Sequence, residues 1–156
     1  MAVLMMSVML IAGCSSGEEA APAADKKSGT TTIGFSISTL NNPFFVSVKD
    51  GVEAKAKELG VNVKIVDAQN DPAKQANDVA DLLQQGVSVL LVNPVDSAAI
   101  STSVEAANKA KIPVIALDRS ADKGTIASLV ASDNVKGGEM AAEYIIKKTW
   151  RRRKSC

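Results

Sequence analysis

From Thr32 onward, apolar positions recur with two alternating periods, one suited to strands and one to helices. Thr32 to Ser38 is a short β-rich run, and Asn41-Asn42-Pro43 breaks it, with Pro43 where a first helical turn tolerates proline. Phe45, Val48, Val52, Ala56 and Leu59 then follow at three- and four-residue spacing, which predicts an amphipathic helix with Gly60 just past its end. Val61 to Val66 alternates as a strand. Asp71 and Pro72 supply an N-cap and a first-turn proline to a second helix. Its apolar face carries Ala76, Val79, Leu82 and Leu83, and Gly86 closes it. Val87 to Val92 is mostly apolar, as a strand covered on both faces should be. Asp96 or Ser97 caps a third helix bearing Ile100, Val104 and Ala107. Ile112 to Leu117 and Ile126 to Ala131 read as further strands. Asn134 to Lys148 reads as a last helix with Met140, Ala141, Tyr144 and Ile145 on its apolar side.

Strands alternating with helices of this length predict an α/β fold: a doubly wound parallel sheet flanked by helices on both faces and joined by right-handed crossovers. Ligands bind such sheets outside the carboxyl ends of the strands. Ser38, Asn41, Asn42, Phe44 and Phe45 follow the first strand, Asn93, Pro94 and Asp96 the third, and Asp118 and Arg119 the fourth. Amides, a carboxylate, a guanidinium and two adjacent rings are thereby gathered on one edge. A sugar suits that inventory. Each hydroxyl both donates and accepts, and the C–H face of the ring packs on an aromatic side chain. Phe44 falls off the helical stripe and leans toward the site, whereas Phe45 fits the stripe and serves equally well as core.

The start of the chain has a different character. Met1 to Ala12 is nearly unbroken apolar sequence, too short to span a bilayer as a mature helix but fitted to the core of a secretory signal. The run Leu10-Ile11-Ala12-Gly13-Cys14 resembles the bacterial lipobox, which makes Cys14 a lipidation site. No Lys or Arg precedes the apolar run, a departure from a full signal. Residues 15–31 have linker composition, so the expected organisation is leader 1–14, linker 15–31 and a folded lobe over 32–132. A chain exported in this way is anchored by lipid to the outer face of the cytoplasmic membrane or lies in the periplasm.

Composition narrows the function. The 156 residues are 46% hydrophobic and 22% charged, in the globular range. Formal net charge is +1, and the positives at Arg151, Arg152, Arg153 and Lys154 leave the remainder at −3, without the basic surplus of a nucleic-acid partner. Histidine is absent, which removes the commonest general base and transition-metal ligand. The two cysteines, Cys14 and Cys156, do not make a zinc site. Gly137-Gly138 lacks the glycine pattern of a dinucleotide fingerprint and reads as helix packing. With no phosphate-binding loop and no nucleophile elbow either, the expectation is a non-enzymatic protein without cofactor or metal.

Ser38-Thr39-Leu40-Asn41-Asn42-Pro43-Phe44-Phe45, Asn93-Pro94-Val95-Asp96-Ser97, Leu117-Asp118-Arg119 and Ala131-Ser132-Asp133-Asn134 closely resemble the D-ribose-binding proteins of bacterial ABC importers. The resemblance runs from about Thr32 to Lys148 with its motifs in order. It implies a type I periplasmic-binding-protein fold that closes two lobes on D-ribose or a related monosaccharide and delivers it to ABC permease subunits. It assigns Ser38, Asn42, Phe44, Phe45, Asn93, Asp118 and Arg119 to the first lobe's half of the site. The two Phe sandwich the pyranose, and Asp118 and Arg119 hydrogen-bond its hydroxyls. It also places a hinge near Ser132-Asp133, with 133–148 beginning the second lobe. Residues 149–156, holding the only Trp and a run of arginines, depart from the family and read as a truncation or frameshift tail. A single lobe would bind weakly. The competing readings are the sensing domain of a sugar-responsive transcription regulator, which would need a helix-turn-helix where the leader stands, and a non-functional fragment.

Overall fold

A computed structural model describes residues 31–153, with side chains through 149. Cys14, the expected leader, the expected linker up to residue 30, and Cys156 lie outside the described residues. The elements are β1 (Thr32–Ile37), α1 (Pro43–Leu59), β2 (Asn62–Asp67), α2 (Pro72–Gln84), β3 (Val89–Val92), α3 (Ser101–Lys109), β4 (Val114–Leu117), β5 (Ser128–Val130) and α4 (Asn134–Arg153). The five strands form one sheet in the order β2-β1-β3-β4-β5. Every pairing is parallel, as the βα alternation predicts. The chain winds one way from β1 to β2 and back the other way through β3, β4 and β5. Its topological switch therefore falls between β1 and β3.

Alternation along β1 assigns the faces. Ser36 meets Gln75 of α2, and a Cβ on Gly34 would meet Val87 and Leu82, so these two residues face α2. Phe35 and Ile37 point to the opposite face, where α1 lies, and both are fully buried. The α2–α3 face holds the main core: Val79, Leu82, Leu90, Val92, Val104 and Val114 are at most 1% exposed. Each such side chain contributes on the order of 1.5–3 kcal/mol by leaving water.

The helix starts follow their sequence signals. Asn42 caps α1, its Oδ1 accepting from the Phe44 amide at 2.9 Å. Asp71 caps α2 by accepting from the amides of Ala73 and Lys74. The third helix departs from expectation. Asp96 Oδ1 does accept from the amides of Ala98 and Ala99, but these belong to an irregular turn. The Ser101 amide there bonds to Ala98 rather than to Ser97, and regular helix begins only at Ser101.

Strands β3, β4 and β5 are each shorter than their apolar runs. Val87 and Ile112 fall outside because their amides reach back to Leu82 and Ala107 and close the preceding helix, so they are helix terminators and not ladder residues. The last helix runs past Lys148 to Arg153. Gly137-Gly138 is not a packing contact either, since a Cβ on either residue would meet nothing within 4 Å. No helix among the described residues is long and apolar enough to cross a membrane.

Candidate functional site

A cleft of about 250 Å³ lies at the carboxyl edge of the sheet, lined by Phe44, Phe45, Val48, Asn93, Leu117, Asp118, Val130, Ala131 and Ser132. The first turns of α1 form one wall and the exits of β3, β4 and β5 the other. Because Pro43 and the Asn42 cap start α1 directly after the β1 exit, its first turn sits over the switch point. Phe44 and Phe45 meet edge-to-face, with centroids 5.2 Å apart and planes at 69°. Phe44 remains 51% exposed, far more than a core ring would be, and Phe45 is half-buried.

Asp118 is the one charged side chain on the lining. Its backbone is unusual. It has φ 66°, and the Arg119 amide donates to the Leu117 carbonyl at 2.7 Å, which makes a tight turn of the strained, positive-φ kind. The Asp118 amide donates to the Val130 carbonyl at 2.8 Å, tying this turn to β5. The carboxylate thus leaves the sheet edge on a backbone held from both sides, exposed to solvent and ready to accept hydrogen bonds.

Asn93, 2% exposed, is committed to the scaffold as well as to the lining. Its Oδ1 accepts from the Ser38 amide at 3.2 Å and its Nδ2 donates to the Leu117 carbonyl at 2.9 Å, stitching the ends of β1, β3 and β4 together. A primary amide has a further N–H and a further lone pair, so one donor and one acceptor are left for another partner.

The remaining predicted residues lie beside the lining and not on it. Ser38 is buried at 5% exposure, with its carbonyl accepting from the Asn70 amide. Asn42 spends its oxygen on the α1 cap. Arg119 is exposed and donates from Nη1 to the Val95 carbonyl at 2.6 Å. The seven predicted residues therefore form one neighbourhood, of which Phe44, Phe45, Asn93 and Asp118 reach the cleft.

Sequence reasoning missed Val48, Leu117 and Val130 to Ser132 as lining. Two signals were present: Val48 is one helical turn from Phe44, and Val130 to Ser132 leave the fifth strand at the same edge as the other exits. The assembled site offers two aromatic rings, an aliphatic floor, one carboxylate, one amide and one hydroxyl. Such a lining fits a small ring with one polar rim and one C–H face.

The periplasmic binding protein domain family matches residues 33–152. The ribose import binding protein of Bacillus subtilis is 55% identical over 148 residues, which cover 94% of this chain and 48% of that protein. The ribose import binding protein of Salmonella typhimurium is 56% identical over 117 residues, 75% of this chain and 40% of that one. Among solved structures, a Caulobacter myo-inositol binding protein bound to myo-inositol is similar with a TM-score of 0.72 and 33% identity. That match covers 78% of this chain and 42% of the other. The chain spans about half the length, or less, of the relatives it matches.

Proposed function

The chain belongs to the periplasmic binding protein family, and from that membership we propose that its cleft binds a monosaccharide, D-ribose or a close relative, as part of the solute-binding component of an ABC importer. The observation that carries this reading is the pairing of the Phe44–Phe45 wall with Asp118 and Asn93 across one sugar-sized cleft. In the proposed complex the rings cover the C–H face of the pyranose, the Asp118 carboxylate accepts from its hydroxyls, and Asn93 supplies its remaining donor and acceptor. Arg119 reaches the sugar by exchanging its bond to the Val95 carbonyl for a hydroxyl, and Ser38 and Asn42 shape the rim.

The protein's task is capture and delivery to permease subunits, a binding role and not a catalytic one. The relatives' further length would supply the facing half of the site, whose closure excludes water and strengthens every bond to the ligand. The span present here holds its ligand in an open, wet cleft, which makes its own affinity weak.

Titration of the full chain with a panel of pentoses and hexoses, followed by amide chemical shifts, tests the reading. D-ribose should move Phe44 to Val48, Asn93 and Asp118, with millimolar saturation. Identical responses to every sugar, or shifts confined to other surfaces, would sink it. Export and lipid anchoring at Cys14 belong to the same proposal. In a bacterial host that lipidates exported proteins, fatty-acid label should enter the chain and vanish in Cys14→Ser; label persisting in that variant refutes the anchor.

A further inference from the structure

Gln75 lies outside the cleft, on α2, and is 1% exposed. Its carboxamide is engaged at both ends. Nε2 donates to the Asn93 carbonyl at 2.9 Å and to Ser36 Oγ at 3.2 Å, and Oε1 accepts from the Val95 amide at 2.8 Å. Pro94, between Asn93 and Val95, has no amide hydrogen. The chain leaving β3 therefore presents one carbonyl at Asn93 and one amide at Val95 to the same side chain. A group that both donates and accepts in a fixed fork serves the two together, and among uncharged side chains of this length that group is a carboxamide.

From both clamped residues further hydrogen bonds reach the candidate site. The Asn93 side chain bridges the Ser38 amide and the Leu117 carbonyl. The Val95 carbonyl takes Nη1 of Arg119. We propose that Gln75 is a positioning residue of the cleft: it fixes residues 93–95, and through them the presentation of Asn93 and the parking of Arg119. The sugar-binding consequence rests on the cleft assignment above. The ordering of 93–95 by Gln75 does not.

Three variants of the full chain separate this role from ordinary packing. Gln75→Met keeps the volume and loses all three bonds. Gln75→Glu keeps an acceptor for Val95 but sets a carboxylate oxygen against the Asn93 carbonyl. Val79→Ala removes buried methyls from the same helix one turn on, with no polar partner involved. Amide hydrogen exchange is measured relative to the core amides of β1 and β3. In Gln75→Met, exchange at Val95 and Ser38 should rise by about tenfold over that reference, the scale of a lost hydrogen bond. In Gln75→Glu, Ser38 should accelerate while Val95 stays protected. In Val79→Ala, both should track the core.

D-ribose titration completes the test, with about tenfold weakening in Gln75→Met and none in Val79→Ala. Unchanged relative exchange at Ser38 and Val95 in Gln75→Met, or equal weakening of D-ribose in Gln75→Met and Val79→Ala, overturns the proposal. If Gln75→Met does not fold, the split between Ser38 and Val95 in Gln75→Glu decides. A wild-type chain that ignores D-ribose refutes the sugar reading alone, and the exchange ratios still decide the role of Gln75.

Discussion

Asp118→Ala and Asp118→Gly both remove the carboxylate from the cleft, but they treat the backbone differently. At φ 66° a Cβ is strained and its removal relieves the strain, so glycine should be the more stable of the two variants by about 1 kcal/mol. Both should lose D-ribose response equally. Chemical denaturation beside sugar titration checks this, and equal stability of the two variants would mean that the tight turn stores no strain. The same scale shows how much of the site was readable beforehand. Asn93 and Asp118 stand directly after strand ends, and Phe44 opens the helix that follows one, so all three could be found by position. Gln75 could not be valued in that way. It shares the buried stripe of Val79 and Leu82, four and seven residues on, and a lone amide in such a stripe announces neither its partners nor their distance along the chain. Its contacts with Ser36 and Asn93 are separated by 39 and 18 residues.

At the scale of elements, Gly34 lets the end of α2 and the residue that closes it pack tightly on β1. A Cβ there would lie 3.0 Å from Val87 Cγ1 and 3.3 Å from Leu82 Cδ1. Gly34→Ala gains about 0.4–1 kcal/mol from the unfolded state but overpacks at a cost of about 1–3 kcal/mol, so a net loss is expected. Val87→Ala should cancel most of that loss, giving a favourable coupling in a double-mutant cycle of thermal unfolding. Strict additivity would show that the contact is not what limits the position.

Val87 also explains why the strand boundaries could not be read closely. Val61, Val87 and Ile112 each follow a residue in the left-handed region, Gly60, Gly86 and Lys111. Each sends its amide back to the carbonyl five residues earlier. They are apolar because they pack at the helix end, and in a string of letters that is indistinguishable from the first residue of a strand. Lys111 adds a second obstacle: a left-handed position without glycine carries no compositional mark.

Across the whole molecule, order is unevenly supported. Asn134 to Thr149 of α4 are exposed throughout, including Val135, Met140, Tyr144, Ile145 and Ile146. A helix without a packed face is marginal, and Gly137 and Gly138 each cost it about 1 kcal/mol against alanine. Amide exchange should therefore be slowest in β1 and β3 and at least about a hundredfold faster in α4. Equal protection in α4 and β3 would show that α4 is held by something other than its own hydrogen bonds. The fold class itself was legible at this scale because the alternation of two periods is repeated and survives any error at a single boundary.

The place of β1 in the sheet has a consequence for how the chain is made. The first of the described strands is an interior one, so β2 and β3 add to its two sides as they leave the ribosome, and β4 and β5 then join the growing flank in turn. Among the described strands, none of β2 to β5 has to be wedged between two earlier ones. Assembly can keep pace with synthesis from the amino terminus outward, and each half-made product differs from the next by a single outward addition.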